Sequence, residues 1–209
     1  MSAGPGWIDE FTHQRLLEGN RRFRKGRAER PHDDPDHRVA VATAQHPFAM
    51  VVCCSDSREV PEIIFDCGLG DLFVVRSAGH VVGDTALASI EFAVVNLGVR
   101  FIVVLGHTGC GAINATLEHL DTLGQVPGHL PRLLAAIALA ATGGLGARPG
   151  AHPTTQRPDA LAVTWTHVAR TCAVITEDLA QLDGALVQQV AVHGAVYDLS
   201  TGAVSFTTG

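Results

Sequence analysis

Two short stretches hold the residues best suited to chemistry: Cys54-Ser55-Asp56-Ser57-Arg58 and His107-Thr108-Gly109-Cys110. Two cysteines and a histidine belong to the ligand set that zinc prefers, and Asp56 stands two places from the first cysteine. Cys54 follows the apolar run Phe48-Ala49-Met50-Val51-Val52, and His107 follows Phe101-Ile102-Val103-Val104-Leu105. Each run reads as a buried strand, so both motifs are expected at strand C-terminal ends, where open α/β sheets keep their sites. The ligands lie far apart in sequence, unlike the close CxxC pairs of zinc ribbons. A site assembled across two strands suits catalysis better than a folding staple. Cys53 competes with Cys54 for the place, because neighbours on a strand point to opposite faces and only one can face the site.

The elements that must position these residues follow in order. Residues 7–25 predict a helix with Trp7, Phe11, Leu16 and Phe23 as apolar anchors, weakened at Gly19-Asn20. Its basic cluster, Arg21, Arg22, Arg24, Lys25 and Arg27, reads as a solvated face. Residues 30–38, with two prolines and several Asp and His, read as extended loop of flexible surface polarity. The first strand and the Cys54 loop lead to Pro61, a first helical position for a short helix through Asp66. A second strand spans 71–76. Asp84 is expected to cap a helix over 85–97 that carries Leu87, Ile90, Val94 and Leu97 at helical spacing and stops at Gly98. The third strand is 101–105, and Gly109 and Gly111 around Cys110 open another helix. Residues 130–141 read as helix, and 142–158, rich in Gly, Pro and Ala, as a mobile insertion. Leu161, Trp165, Val168, Cys172, Ile175, Leu179 and Leu182 alternate steps of four and three, the pattern of a core-facing helix. A strand over 190–197 and a hairpin into 204–206 close the chain. This succession predicts an α/β fold: a central, mostly parallel sheet flanked by helices, with an N-terminal helical arm over about 7–27, all in a single domain spanning 1–209.

Composition narrows the function. At 209 residues and 46% hydrophobic, the chain suffices for one well-buried domain. A net charge of −6 argues against nucleic acid. Residues 1–10 lack the basic start and apolar core of a secretory signal, and no apolar run approaches the ~20 residues of a membrane span. Five cysteines, an odd number in a chain without an export signal, fit free thiols and metal ligands in a reducing cytoplasm. Cys67 and Cys172 read as packing residues.

The pair Cys-x-Asp-x-Arg and His-x-x-Cys resembles that of the β-class carbonic anhydrases. The likeness extends to Leu16-to-Phe23, Glu62-to-Asp66, Gly68-to-Arg76, Ser89-to-Ala93 and Gly194-to-Asp198, while about 142–160 has no counterpart. The resemblance selects Cys54 over Cys53, since the family requires a cysteine two residues before the Asp. It implies one Zn2+ held by Cys54, His107 and Cys110, and reversible hydration of carbon dioxide to bicarbonate and a proton by hydroxide carried on zinc. Two thiolates and one neutral imidazole leave such a centre uncharged, so its water is expected to ionise above the pKa of about 7 of three-histidine zinc. Asp56 and Arg58 are expected to pair on one side of the chain, with Asp56 as fourth ligand when the pair opens. Glu59, where the family commonly has an apolar residue, either competes for Arg58 or points to the other face. Gln45 resembles the glutamine that orients substrate in one branch of the family, often across a dimer interface, and Gly111 a backbone contact at the same site. Val51 stands where another branch has tryptophan at a bicarbonate-regulated site, which argues against that regulation. His80 stands where the family often has Asn, and reads as a local hydrogen-bonding residue rather than a proton relay. The family's use of its N-terminal helix, with Trp7 and Phe11, implies a homodimer or higher homo-oligomer. Rival readings are hydrolysis of carbonyl sulfide or carbon disulfide on the same scaffold, and a structural zinc closed by Asp56, which leaves Arg58 without a purpose.

Overall fold

The structure, a computed structural model, describes residues 5–142, 158–182, 184 and 189–207, with side chains from residue 9 onward. Five strands, β1 (Ala49–Cys54), β2 (Leu72–Ser77), β3 (Phe101–His107), β4 (Ala191–Tyr197) and β5 (Val204–Phe206), form one sheet in the order β2-β1-β3-β4-β5. The first four run parallel and β5 turns back antiparallel on β4. β1 and β3 are buried along their whole length, which is why they read as unbroken apolar runs rather than alternating ones.

Strand alternation assigns the faces. Val51, Cys53, Val103 and Leu105 point to one side, against Leu16 of helix α1 (Pro5–Arg24) and Ile64 of α3 (Pro61–Ile64). Met50, Val52, Ile102 and Val104 point to the other, against α4 (Asp84–Asn96) and α7 (Ala160–Leu179). Each fully buried aliphatic side chain contributes about 1.5–3 kcal/mol. A third cluster lies at the C-terminal edge of the sheet, where Cys54 and Cys110 meet Ile113 of α5 (Gly111–Glu118), Ile137 of α6 (Leu130–Ala141) and Val163 of α7. That cluster frames the site.

The structure departs from the sequence expectation at several points. Residues 30–38 are not all extended: α2 (Pro35–Ala40) starts there, because Asp34 accepts the His37 N–H at 2.8 Å and Pro35 is preset for a first turn. The His and Asp residues before it are ordered, with His32 Nδ1 2.9 Å from Asp71 and its ring stacked on His37. Gly83, not Asp84, caps α4; Asp84 is its first residue, an acid at the positive end of the helix. On α7, Leu161 is exposed, and Thr164, His167 and Thr171 are buried beside the apolar stripe. α1 runs unbroken through Gly19-Asn20. A Cβ at Gly19 would lie deep inside the Phe65 carbonyl, so only glycine lets the helix seat there. Asn20 donates to the carbonyls of Ile64 and Gly202 and accepts the Val204 N–H, tying α1 to α3 and to the start of β5. Arg22 leaves the solvated face to pair with buried Asp66. The side chain of Trp7 and residues 143–157 of the expected insertion lie outside the described residues.

Candidate metal centre

Cys54 is the last residue of β1, His107 the last of β3, and Cys110 immediately precedes α5. β1 and β3 are parallel neighbours, so their C-terminal ends bring residues from two distant stretches together. One ligand atom from each of the three lies within 4.8 Å of the others, and all three residues are buried. The His107 ring is fixed by its Nδ1, which donates to the Thr108 carbonyl at 2.9 Å and leaves Nε2 as the bare lone pair. Nε2 is buried and finds no hydrogen-bond partner among the described residues. The two sulfurs are 4.0 Å apart. At that distance both cannot ionise without a cation between them: the hydrogen bond they share holds the Cys54 thiol below its ordinary range and pushes Cys110 up. Two thiolates, an unpartnered imidazole nitrogen and a common focus fit a tetrahedral, borderline-soft divalent ion such as zinc.

Asp56 stands at the rim, its Oδ2 3.8 Å from His107 Nε2. Arg58 clasps it with three donors, Nε and the backbone N–H on Oδ1 at 2.9 Å each and Nη2 on Oδ2 at 2.7 Å. Those bonds hold Asp56 well below the usual carboxylate range, so it is ionised at any working pH. Behind them, Arg76 of β2 gathers the carbonyls of Cys54, Asp56 and Glu59 at 3.1, 2.8 and 2.7 Å, which sets the curl of the loop. Glu59 does not compete for Arg58; its side chain turns away from the guanidinium into the interior, in line with the second of the two expectations. It is fully buried, with Oε2 accepting the Cys54 N–H at 2.7 Å, and burial pushes its carboxyl up to about 8. Cys53 faces the opposite side of the sheet from the cluster, as strand alternation requires.

Gly111 is the first residue of α5, beside Cys110. Gln45 precedes β1, near Val41 and Leu69, whereas Cys54 ends that strand; within one chain Gln45 does not reach the cluster. His80 is buried with neither ring nitrogen hydrogen-bonded among the described residues, and its ring lies tilted against that of His167, with centroids 4.4 Å apart. The expected local hydrogen bond is therefore absent among the described residues. Sequence reading passed over Arg76, the Gly79 N–H, which donates to Cys54 Sγ at 3.2 Å, and His167. One signal was available: Thr164, His167 and Thr171 follow steps of three and four, a polar seam running beside the apolar stripe of α7.

Residues 49–204, most of the chain and both motifs, match the family model described as carbonic anhydrase. A carbonic anhydrase of Pseudomonas aeruginosa is 33% identical over 179 residues, covering 81% of this chain and 77% of that one. The structure of the Coccomyxa β-carbonic anhydrase in complex with acetazolamide aligns with a TM-score of 0.64 at 26% identity, over 91% of this chain and 84% of that one. This chain belongs to the β-class carbonic anhydrase family. Carbonic anhydrase 2 of Mycobacterium tuberculosis is more similar locally, 52% identical over 117 residues. The matched stretch covers 56% of each chain, so about half the length of that relative is spanned.

Proposed function

We propose that the chain catalyses the reversible hydration of carbon dioxide to bicarbonate and a proton, with one zinc ion held by Cys54, His107 and Cys110. The observation that carries this reading is the convergence of those three ligand atoms within 4.8 Å at the ends of β1 and β3, in a chain of this family. Zinc, when bound, supplies a Lewis acid that makes a water nucleophilic near neutral pH. Asp56, ionised and facing His107 Nε2, orients the attacking water through Oδ2. Arg58 keeps that carboxylate turned from the ligand set, which reserves a place for the reacting molecules. Gly111, next to Cys110 at the start of α5, offers a backbone contact for substrate, and Gln45, placed at the far end of β1, serves the site of a second copy in a homodimer or larger homo-oligomer. Phe11, 66% exposed on α1, supports such an interface. None of the five cysteines is in a disulfide, which suits a reducing, cytoplasmic setting. No helix of the described residues is long and apolar enough to cross a membrane.

Stopped-flow hydration of carbon dioxide, before and after removal of metal by a chelator and again after zinc is restored, tests the activity. Loss and recovery are expected; a rate indifferent to the chelator, with zinc shown to be gone, would reject it. Metal analysis of Cys110→Ala tests the ligand set, and full zinc occupancy in that variant would reject it.

A further inference from the structure

A chain of contacts runs from helix α7 to the ligand sulfur. Gly79 lies in the tight turn after β2, with φ of 60°, and its N–H donates to Cys54 Sγ at 3.2 Å. Its carbonyl, on the other side of the same residue, is held by His167 Nε2 at 2.9 Å. A carbonyl only accepts, so Nε2 is the protonated nitrogen of that ring and His167 is the donor. Its other nitrogen, Nδ1, is buried without a partner. His167 is only 4% exposed, and a buried imidazole is retained at a cost unless it bonds, so the Gly79 contact is its one polar anchor among the described residues. The ring has little room to turn, because the His80 ring lies tilted against it, with centroids 4.4 Å apart, and packs in turn over Gly106, one residue before His107. Gly79 is confined as well: a Cβ there would meet Ile137 Cδ1 at 2.8 Å and Ala112 Cβ at 3.0 Å.

We propose that His167 is a positioning residue for the zinc centre, holding Gly79 so that its N–H donates to Cys54 Sγ. An N–H bond to a thiolate withdraws charge from the sulfur and fixes its lone pairs, so it sets both the geometry and the donor strength of that ligand. The effect reaches the metal from a helix that carries no ligand. It rests on the reading of Cys54 as a zinc ligand.

Zinc dissociation constants from chelator competition, the thiolate-to-metal charge-transfer band of the cobalt-substituted protein, and the thermal midpoint are measured on four proteins: parent, His167→Leu, His167→Gln and Thr171→Val. His167→Leu fills the space without a donor, and is expected to raise the zinc dissociation constant about 10-fold or more and to shift the charge-transfer band. His167→Gln, whose terminal amide reaches as far as Nε2, is expected to restore both. Thr171→Val, a buried change one turn further along α7, is expected to move the midpoint alone. If His167→Leu fails to fold, His167→Asn, whose amide stops short of Gly79, provides the same contrast with glutamine. A folded leucine or asparagine variant with parental zinc affinity and band overturns the proposal. A parent that binds no zinc overturns the ligand reading beneath it instead.

Discussion

Arg58 acts by what it denies to Asp56. With three donors on its carboxylate, Asp56 is ionised yet kept from the ligand focus, although Oδ2 lies only 3.8 Å from His107 Nε2. Remove the guanidinium and, with the proposed zinc bound, the carboxylate would be a free anion beside a dication. Arg58→Ala is therefore expected to keep its zinc, with Asp56 as a fourth ligand, and to lose most of its hydration rate, on the order of 100-fold or more. Metal analysis together with stopped-flow rates checks this, and near-parental activity at mildly alkaline pH would refute it. The pair itself does not titrate in the working range: Arg58 holds Asp56 well below its ordinary value, and Asp56 holds Arg58 above its own. A rise in rate between about pH 7 and 9 then does not come from this pair, and on the proposed reading should be absent in Arg58→Ala. The convergence of Cys54, His107 and Cys110 and the pairing of Asp56 with Arg58 were legible in the sequence because metal chemistry restricts residue types and strand ends restrict their place. Glu59 was not: nothing local distinguishes a carboxylate that pairs with the neighbouring arginine from one that turns inward to accept a strand-end N–H.

At the scale of elements, the same limit recurs. Parallel strands and the α6 and α7 helices were legible from apolar runs and periodicity, whereas α2 was hidden in a stretch rich in proline and acid. The helix of α1 was legible but its docking was not, for a physical reason: Gly19-Asn20 lowers helix propensity, and tertiary contact overrides propensity when the small residue admits a backbone and the amide bridges two others. Gly19→Ala is expected to lift α1 from α3, seen as faster amide exchange along 9–24 with the sheet still protected; unchanged exchange would refute it. The other clamp is electrostatic. Burial pushes Asp66 up, but Arg22 and the N–H groups of Glu29 and Arg30 outweigh it and hold the folded-state value below the ordinary one. A lowered folded-state value means that its stabilisation is complete above the unfolded-state pKa of about 4 and fades as pH falls through the folded-state value. Asp66→Asn should cost about 1–3 kcal/mol at neutral pH, with the difference from parent narrowing below about pH 4. Denaturant unfolding at both pH values checks it, and a constant difference would count against the clamp.

For the whole molecule, one chain is an incomplete statement of the proposed enzyme, because Gln45 and the cluster sit at opposite ends of β1. Light scattering on active protein is expected to give at least twice the 22.0 kDa of one chain; a single-chain mass in an active sample would refute the homo-oligomer.

The order of the sheet also bears on time. β1 and β3 are neighbours in space, but all of β2 and α4 lies between them in the chain. Closing that loop is a non-local event, and such contacts are slow to form and come late in folding. Cys54 meets His107 and Cys110 only once the two central strands are paired, so an emerging chain has no pocket to offer a metal ion. On the proposed ligand set, zinc would thus be a reporter of the finished sheet rather than a seed for it, and a refolding chain should capture it in step with the last rise in strand signal.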